Sequence, residues 1–191
     1  EELNADLAIV VAYGKILPEN FLPLAKKGFI NIHASILPSW RGAAPIQRAI
    51  MNMDNKTGIS IMKINNKLDA GPICNKYEVD IKKQDNAETI SEKLSMLASE
   101  KILDEIDSII DGKANFVEQD NKKATYAKKI EKFEGKINWN NSADEILGLI
   151  NGLYPTPGAW FIYKGERHKI LEADVGNARG EPGIVLSENL E

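Results

Sequence analysis

The run Leu7-Ala8-Ile9-Val10-Val11-Ala12 limits what this chain can fold into more than any other feature. Its apolar residues do not alternate with polar ones, and Ile9, Val10 and Val11 are β-branched. Such a run predicts a strand buried on both faces, as the central strands of parallel sheets are. Gly14 and Pro18 end it. Residues 19–27 then read as a short helix with Phe21, Leu22, Leu24 and Ala25 inward and Gly28 as its C-cap. Residues 29–32 read as a second buried strand. Strand, helix and strand in this order make a βαβ unit, which places the chain in the α/β class.

The remaining elements follow from spacing. Ala44, Ile46, Ala49, Ile50 and Met53 recur at helical intervals, and Pro45 suits the first turn. Residues 59–64 alternate as a strand, and residues 73–81 read as a strand that is either at a sheet edge or partly exposed. Thr89-Ile90-Ser91-Glu92 has the form of a capping box. Behind it, Ile90, Leu94, Leu97, Ile102, Ile106, Ile109 and Ile110 form one apolar stripe, ending at Gly112. Ser142-Ala143-Asp144-Glu145 repeats the box and opens a helix to about Ile150. Short strands are expected at residues 159–163, 167–173 and 184–186, with turns at Gly165 and near Gly183. The chain thus divides into an α/β part (1–115), a basic linker (116–132) and a small β-rich part (133–191).

Composition matters where charge is concentrated. The chain carries 24 basic and 28 acidic residues, a net charge of -4, which speaks against a strongly basic nucleic-acid module as a whole. Residues 113–136 nevertheless hold seven Lys against four acids. A solvated connector is one reading of this stretch, and a phosphate-contacting surface is the other. The lone Cys74 excludes a disulfide framework, so a reducing cytoplasm is the default. No apolar run is long enough for a spanning helix, so no membrane partner is expected. No metal-ligand spacing, P-loop, dinucleotide fingerprint or G-x-S-x-G nucleophile motif occurs.

Of the two histidines, His168 lies between Arg167 and Lys169 and reads as a surface residue. His33 closes a predicted buried strand, and ligands of open α/β sheets bind at the carboxyl ends of strands. Alternation places Asn31 on the same side as His33. An amide and an imidazole together suit an oxyanion, although a hydrogen-bonded core histidine beside a turn-forming asparagine reads equally well. Residues 36–45, with two prolines, a Trp, an Arg and a Gly, form either a rigid connection or a loop that shapes a substrate site. Leu68-Asp69-Ala70-Gly71-Pro72 is either a plain turn or the source of a carboxylate that orients the imidazole and stabilises its charge.

Taken together, these motifs resemble the formyltransferases that use 10-formyltetrahydrofolate. The resemblance is carried by Asn31-Ile32-His33-Ala34-Ser35-Ile36-Leu37-Pro38, Trp40-Arg41-Gly42-Ala43-Ala44-Pro45-Ile46-Gln47-Arg48-Ala49, Thr57-Gly58 and Leu68-Asp69-Ala70-Gly71-Pro72. It continues through Thr125-Tyr126-Ala127-Lys128-Lys129-Ile130, Ile137-Asn138-Trp139 and Pro155-Thr156-Pro157, and so covers nearly the whole chain. The run from Arg41 to Arg48 is most similar to the branch that acts on methionyl-tRNA. Ser39 departs from the family pattern, where a basic residue is common.

The resemblance implies a Rossmann-like catalytic domain followed by an OB-like β-barrel, both incomplete here, so that the isolated chain is expected to be inactive. It implies a catalytic set of Asn31, His33 and Asp69 and a folate-contacting segment at Ser35, Ile36, Leu37 and Pro38. Contacts to tRNA are expected at Arg41, Lys122, Lys123, Lys128, Lys129 and Lys132. The implied partners are initiator methionyl-tRNA and the co-substrate 10-formyltetrahydrofolate, with no metal, in a protein that is a monomer at full length. Rival readings are a formyltransferase for an amino sugar nucleotide or for glycinamide ribonucleotide, and a non-catalytic folate- or RNA-binding module.

Overall fold

The computed structural model describes residues 4–15 and 17–186. In chain order its elements are β1 (Ala8–Val10), β2 (Phe29–His33), β3 (Arg41–Gly42), α1 (Pro45–Met51), β4 (Lys56–Lys63), β5 (Ile73–Asp80), α2 (Ala87–Ile110), β6 (Tyr126–Ala127), α3 (Ala143–Leu153), β7 (Ala159–Tyr163) and β8 (Glu166–Ile170). The main sheet has the order β1-β2-β4-β5. β1 runs parallel to β2, whereas β4 is antiparallel to both of its neighbours, so the sheet is mixed. β5 lies at the edge, as expected.

Period-two alternation decides which side chains of β2 enter the core. Ile30 and Ile32 point into it and join Ile59 and Ile61 of β4, Ile90, Leu94, Ile102 and Ile109 of α2, and Ile50 of α1. Full burial of a side chain such as Ile90 stabilises the fold by about 1.5–3 kcal/mol. Asn31 and His33 are left on the opposite side of the sheet.

Several expectations are corrected. β1 is short and not buried on both faces: Ile9 is 42% exposed and Val11 56%. The helices α1 and α2 pack on β4 and β5 and leave Ile9 and Val11 uncovered. Residues 19–24 form a 3-10 turn rather than an α-helix, with Phe21 and Leu24 outward. Pro23 inside it has no N–H to donate, which ends an α-helical ladder. Gly28 does take a left-handed φ of 86°. α2 opens earlier than the motif predicts, because Asn86 is the N-cap and Thr89 its reciprocal partner three residues on. Residues 184–186 form no strand.

The second capping box holds as read, with Ser142 accepting from the N–H of Glu145 at the head of α3. α3 packs on α1 where Gly152 makes room: a Cβ there would meet the Met51 side chain at 2.6 Å and the Gln47 carbonyl at 3.0 Å. Beyond α3, β7 and β8 pair as a two-stranded hairpin, and Ala159 of β7 packs with Ile137 and Ile150. No barrel closes among the described residues, so the OB-like expectation is not met. The lysine-rich stretch is not a free connector. β6 pairs in parallel with β3, and the stretch is therefore laced to the α/β part.

Candidate active site

Asn31 and His33 face a cavity of about 810 Å³ at the end of β2, and Asp69 joins them from the turn after β4. The Asn31 amide nitrogen lies 3.4 Å from Asp69 Oδ1, and His33 Nδ1 lies 3.6 Å from Asp69 Oδ2. His33 is 6% exposed and the Asp69 side chain 16%. The other imidazole nitrogen, Nε2, pairs with the backbone carbonyl of Trp40 at 2.9 Å. A carbonyl only accepts, so Nε2 is the nitrogen that donates to it. Nδ1 is left facing the carboxylate.

Asp69 is held at both ends. Its Oδ2 accepts from the Gly42 N–H at 2.8 Å. Its own carbonyl accepts from Gln119 Nε2 at 2.9 Å, and the same amide donates to the Gly71 carbonyl at 2.7 Å. Asp69 has a φ of 44°, a left-handed conformation that a non-glycine residue keeps only when its surroundings hold it. Gly42 cannot be larger, since a Cβ there would lie 2.7 Å from the Ala127 carbonyl oxygen.

Residues 1–106 match the formyl transferase domain. The chain belongs to the formyl transferase family. Residues 129–190 match the C-terminal domain of formyl transferases. Over all 191 residues the chain is 63% identical to the methionyl-tRNA formyltransferase of Pelagibacter ubique and spans 62% of that protein's length. HypX from Aquifex aeolicus, solved in complex with tetrahydrofolic acid, matches with a TM-score of 0.79 over 95% of this chain and 32% of its own, at 18% identity. A sugar N-formyltransferase from Shewanella matches with a TM-score of 0.74 over 90% of this chain and 71% of its own, at 21% identity. At these identities the likeness is one of fold, and the mixed sheet fits a Rossmann-like formyl transferase domain.

In this formyl transferase fold the other expected site residues are placed unevenly. The segment expected to contact folate turns into the protein. Ser35 and Leu37 are fully buried, Ser35 Oγ donates to the Ser39 carbonyl, and Leu37 N–H donates to Ser60 Oγ. The cavity wall passes instead through Val10–Tyr13 and residues 64–69. Ile36 and Pro38 are half-buried and do not line the cavity either.

Arg41 does not face outward as a tRNA contact would. It is 3% exposed, and its guanidinium donates to Gln119 Oε1 and Asn121 Oδ1. Lys122, Lys123, Lys128, Lys129 and Lys132 are exposed, and Lys128 and Lys129 line the cavity. Arg48 positions these two: it donates to their carbonyls and forks onto Glu134 at 2.7 and 3.0 Å. The Arg48 guanidinium holds the Glu134 carboxyl below its ordinary value, against a smaller opposing effect of burial. Sequence reasoning missed Gln119, and it read Trp40 and Gly42 only as members of a possible substrate-shaping loop, without a role for either. Gln119 lay in a stretch read as linker, and the other two act through backbone atoms that carry no sequence signal.

Proposed function

We propose that the full-length protein transfers a formyl group from 10-formyltetrahydrofolate to the α-amine of initiator methionyl-tRNA. The observation that carries this reading is the meeting of Asn31, His33 and Asp69 at one cavity, in a chain 63% identical to a methionyl-tRNA formyltransferase. A cavity of about 810 Å³ is within the range of small-molecule sites. Attack of an amine on a formyl carbon gives a tetrahedral oxyanion. Asn31 offers an amide N–H to that oxygen, and a charged His33 offers Nδ1–H. With Nδ1 already protonated, Asp69 Oδ2 beside it is the place for the proton that the amine loses, and collapse of the oxyanion breaks the bond from the formyl carbon to N10, which takes up a proton as tetrahydrofolate leaves. The Trp40 carbonyl keeps the imidazole in the orientation that this requires.

Lys128 and Lys129 at the cavity wall support a polyanionic acceptor. The domain division belongs to the same reading: residues 1–115 are catalytic, 116–132 a basic linker, and 133–191 a C-terminal part that helps hold the tRNA. The likeness to sugar formyltransferases is one of fold and does not favour a sugar acceptor. The test is an acceptor screen with the full-length protein and 10-formyltetrahydrofolate. Formylation of methionyl-tRNA well above that of glycinamide ribonucleotide and amino sugar nucleotides is expected. Preference for either of the latter would overturn the proposal.

A further inference from the structure

Gln119 and Arg41 form a buried pair behind Asp69. Gln119 is 8% exposed and Arg41 3%. Their bonds fix the orientation of the glutamine amide. Arg41 Nε and Nη2 reach Gln119 Oε1 at 3.1 and 2.7 Å, and a guanidinium only donates. The NH2 group must then face the carbonyls of Asp69 and Gly71, where both of its N–H groups are used. Reversal would set two donors against each other and an oxygen against two carbonyls, so the network admits one arrangement.

The bonds close a ring around Asp69. Gly42 holds the carboxylate through its N–H, and Arg41, the residue before it, holds the Asp69 backbone through Gln119. The same short strand therefore restrains Asp69 at its side chain and at its main chain, and β6 anchors that strand. The left-handed φ of Asp69 is the conformation that this ring holds in place.

We propose that Gln119, braced by Arg41, is a positioning residue that keeps the Asp69 carboxylate aimed at His33 and Asn31. This inference rests on the formyl-transfer reading for its kinetic consequence but not for its structural one. Gln119→Met keeps the length of the side chain and removes all of its hydrogen bonds. In the full-length protein it is expected to lower kcat by about 10–100-fold, the scale of a misplaced reacting group, with KM for both substrates nearly unchanged. In an Asp69→Asn background the same change is expected to cost little more, because Gln119 acts through Asp69. Backbone hydrogen exchange at Gly42 is expected to speed up in Gln119→Met, since its acceptor is no longer held. Arg41→Lys, which cannot fork onto Oε1, is expected to repeat the pattern more weakly and serves if Gln119→Met fails to fold.

An equal loss of kcat with and without Asp69 would show a merely structural role and overturn the proposal. So would unchanged exchange at Gly42. If the wild-type protein formylates neither methionyl-tRNA nor any other acceptor, the functional reading fails, and exchange at Gly42 still decides the positioning role.

Discussion

Replacing Arg48 by Met keeps most of the side chain's stem and removes its charge and donors. Two of the broken bonds run to the carbonyls of Lys128 and Lys129 at the surface, where water replaces a donor at small cost. The fork onto Glu134 is different, because the Arg48 and Glu134 side chains are 17% and 23% exposed. A charge-assisted bond contributes about 1.5–3 kcal/mol, and a fully buried charge stripped of its partner costs about 3–5 kcal/mol. Glu134 is less isolated than that, since Oε1 still accepts the Glu131 N–H at 2.8 Å. The net loss is therefore placed near ~2 kcal/mol, a fall in Tm of about 4–8 °C for a chain of this size.

The pH dependence gives the stricter test. Glu134 is held below its ordinary value by Arg48, so the bridge contributes fully above the unfolded-state value of about 4.3. That contribution is lost as pH falls through the depressed folded-state value. Thermal melts of wild type and Arg48→Met should be well separated at pH 7 and less separated at pH 3, below the unfolded-state value. A separation under 1 °C at pH 7, or one of equal size at both pH values, would refute the reasoning.

Three further outcomes are expected. Asn31→Ala should lower the formylation rate of the full-length protein ~10²–10³-fold, as for loss of one oxyanion donor, and a steady-state rate near wild type would remove Asn31 from the chemistry. Exchanging Lys122, Lys123, Lys128, Lys129 and Lys132 for Gln should weaken tRNA binding and flatten its salt dependence by about 0.7–0.9 in log–log slope for each phosphate no longer neutralised; an unchanged slope in a titration would return the stretch to a plain connector. Burial, and then Glu105, push the Cys74 thiol up to about 11. Alkylation of the folded protein at pH 8 should thus run ~10²-fold slower than for a free thiol, and labelling at the free rate would contradict this.

Sequence reading succeeded where the determinants are local. The alternation of β2 sorts Ile30 and Ile32 from Asn31 and His33, and Ser142 and Glu145 cap α3 as their spacing implies. It slipped where two local signals compete: Thr89 has capping chemistry, but Asn86 stands three residues earlier and receives the Thr89 N–H. It failed where burial depends on what lies above an element. The apolar run at β1 says how those residues would pack but supplies no layer to pack against. The site shows the same division. Asn31 and His33 are neighbours on one strand, whereas Asp69 is 38 residues from Asn31. Its placement depends on Gly42 and Gln119, which come from two further segments. A basic stretch with little apolar periodicity reads as a linker, because a two-residue ladder such as β3–β6 leaves no pattern to detect.

The β3–β6 ladder also bears on time. Trp40 and Thr125, bonded beside it, lie 85 residues apart in the chain. β4 and β5, by contrast, are joined by a short connection. Closing a long loop costs more entropy than closing a short one, and contacts between distant segments form late. Asn31 and His33 are thus expected on a formed sheet while Asp69 is still loose. As the chain leaves the ribosome, the cavity can take its final shape only after Gln119 and Ala127 have emerged and docked. Nascent chains halted just before and just after those residues would differ little in secondary structure and sharply in how well they hold a ligand.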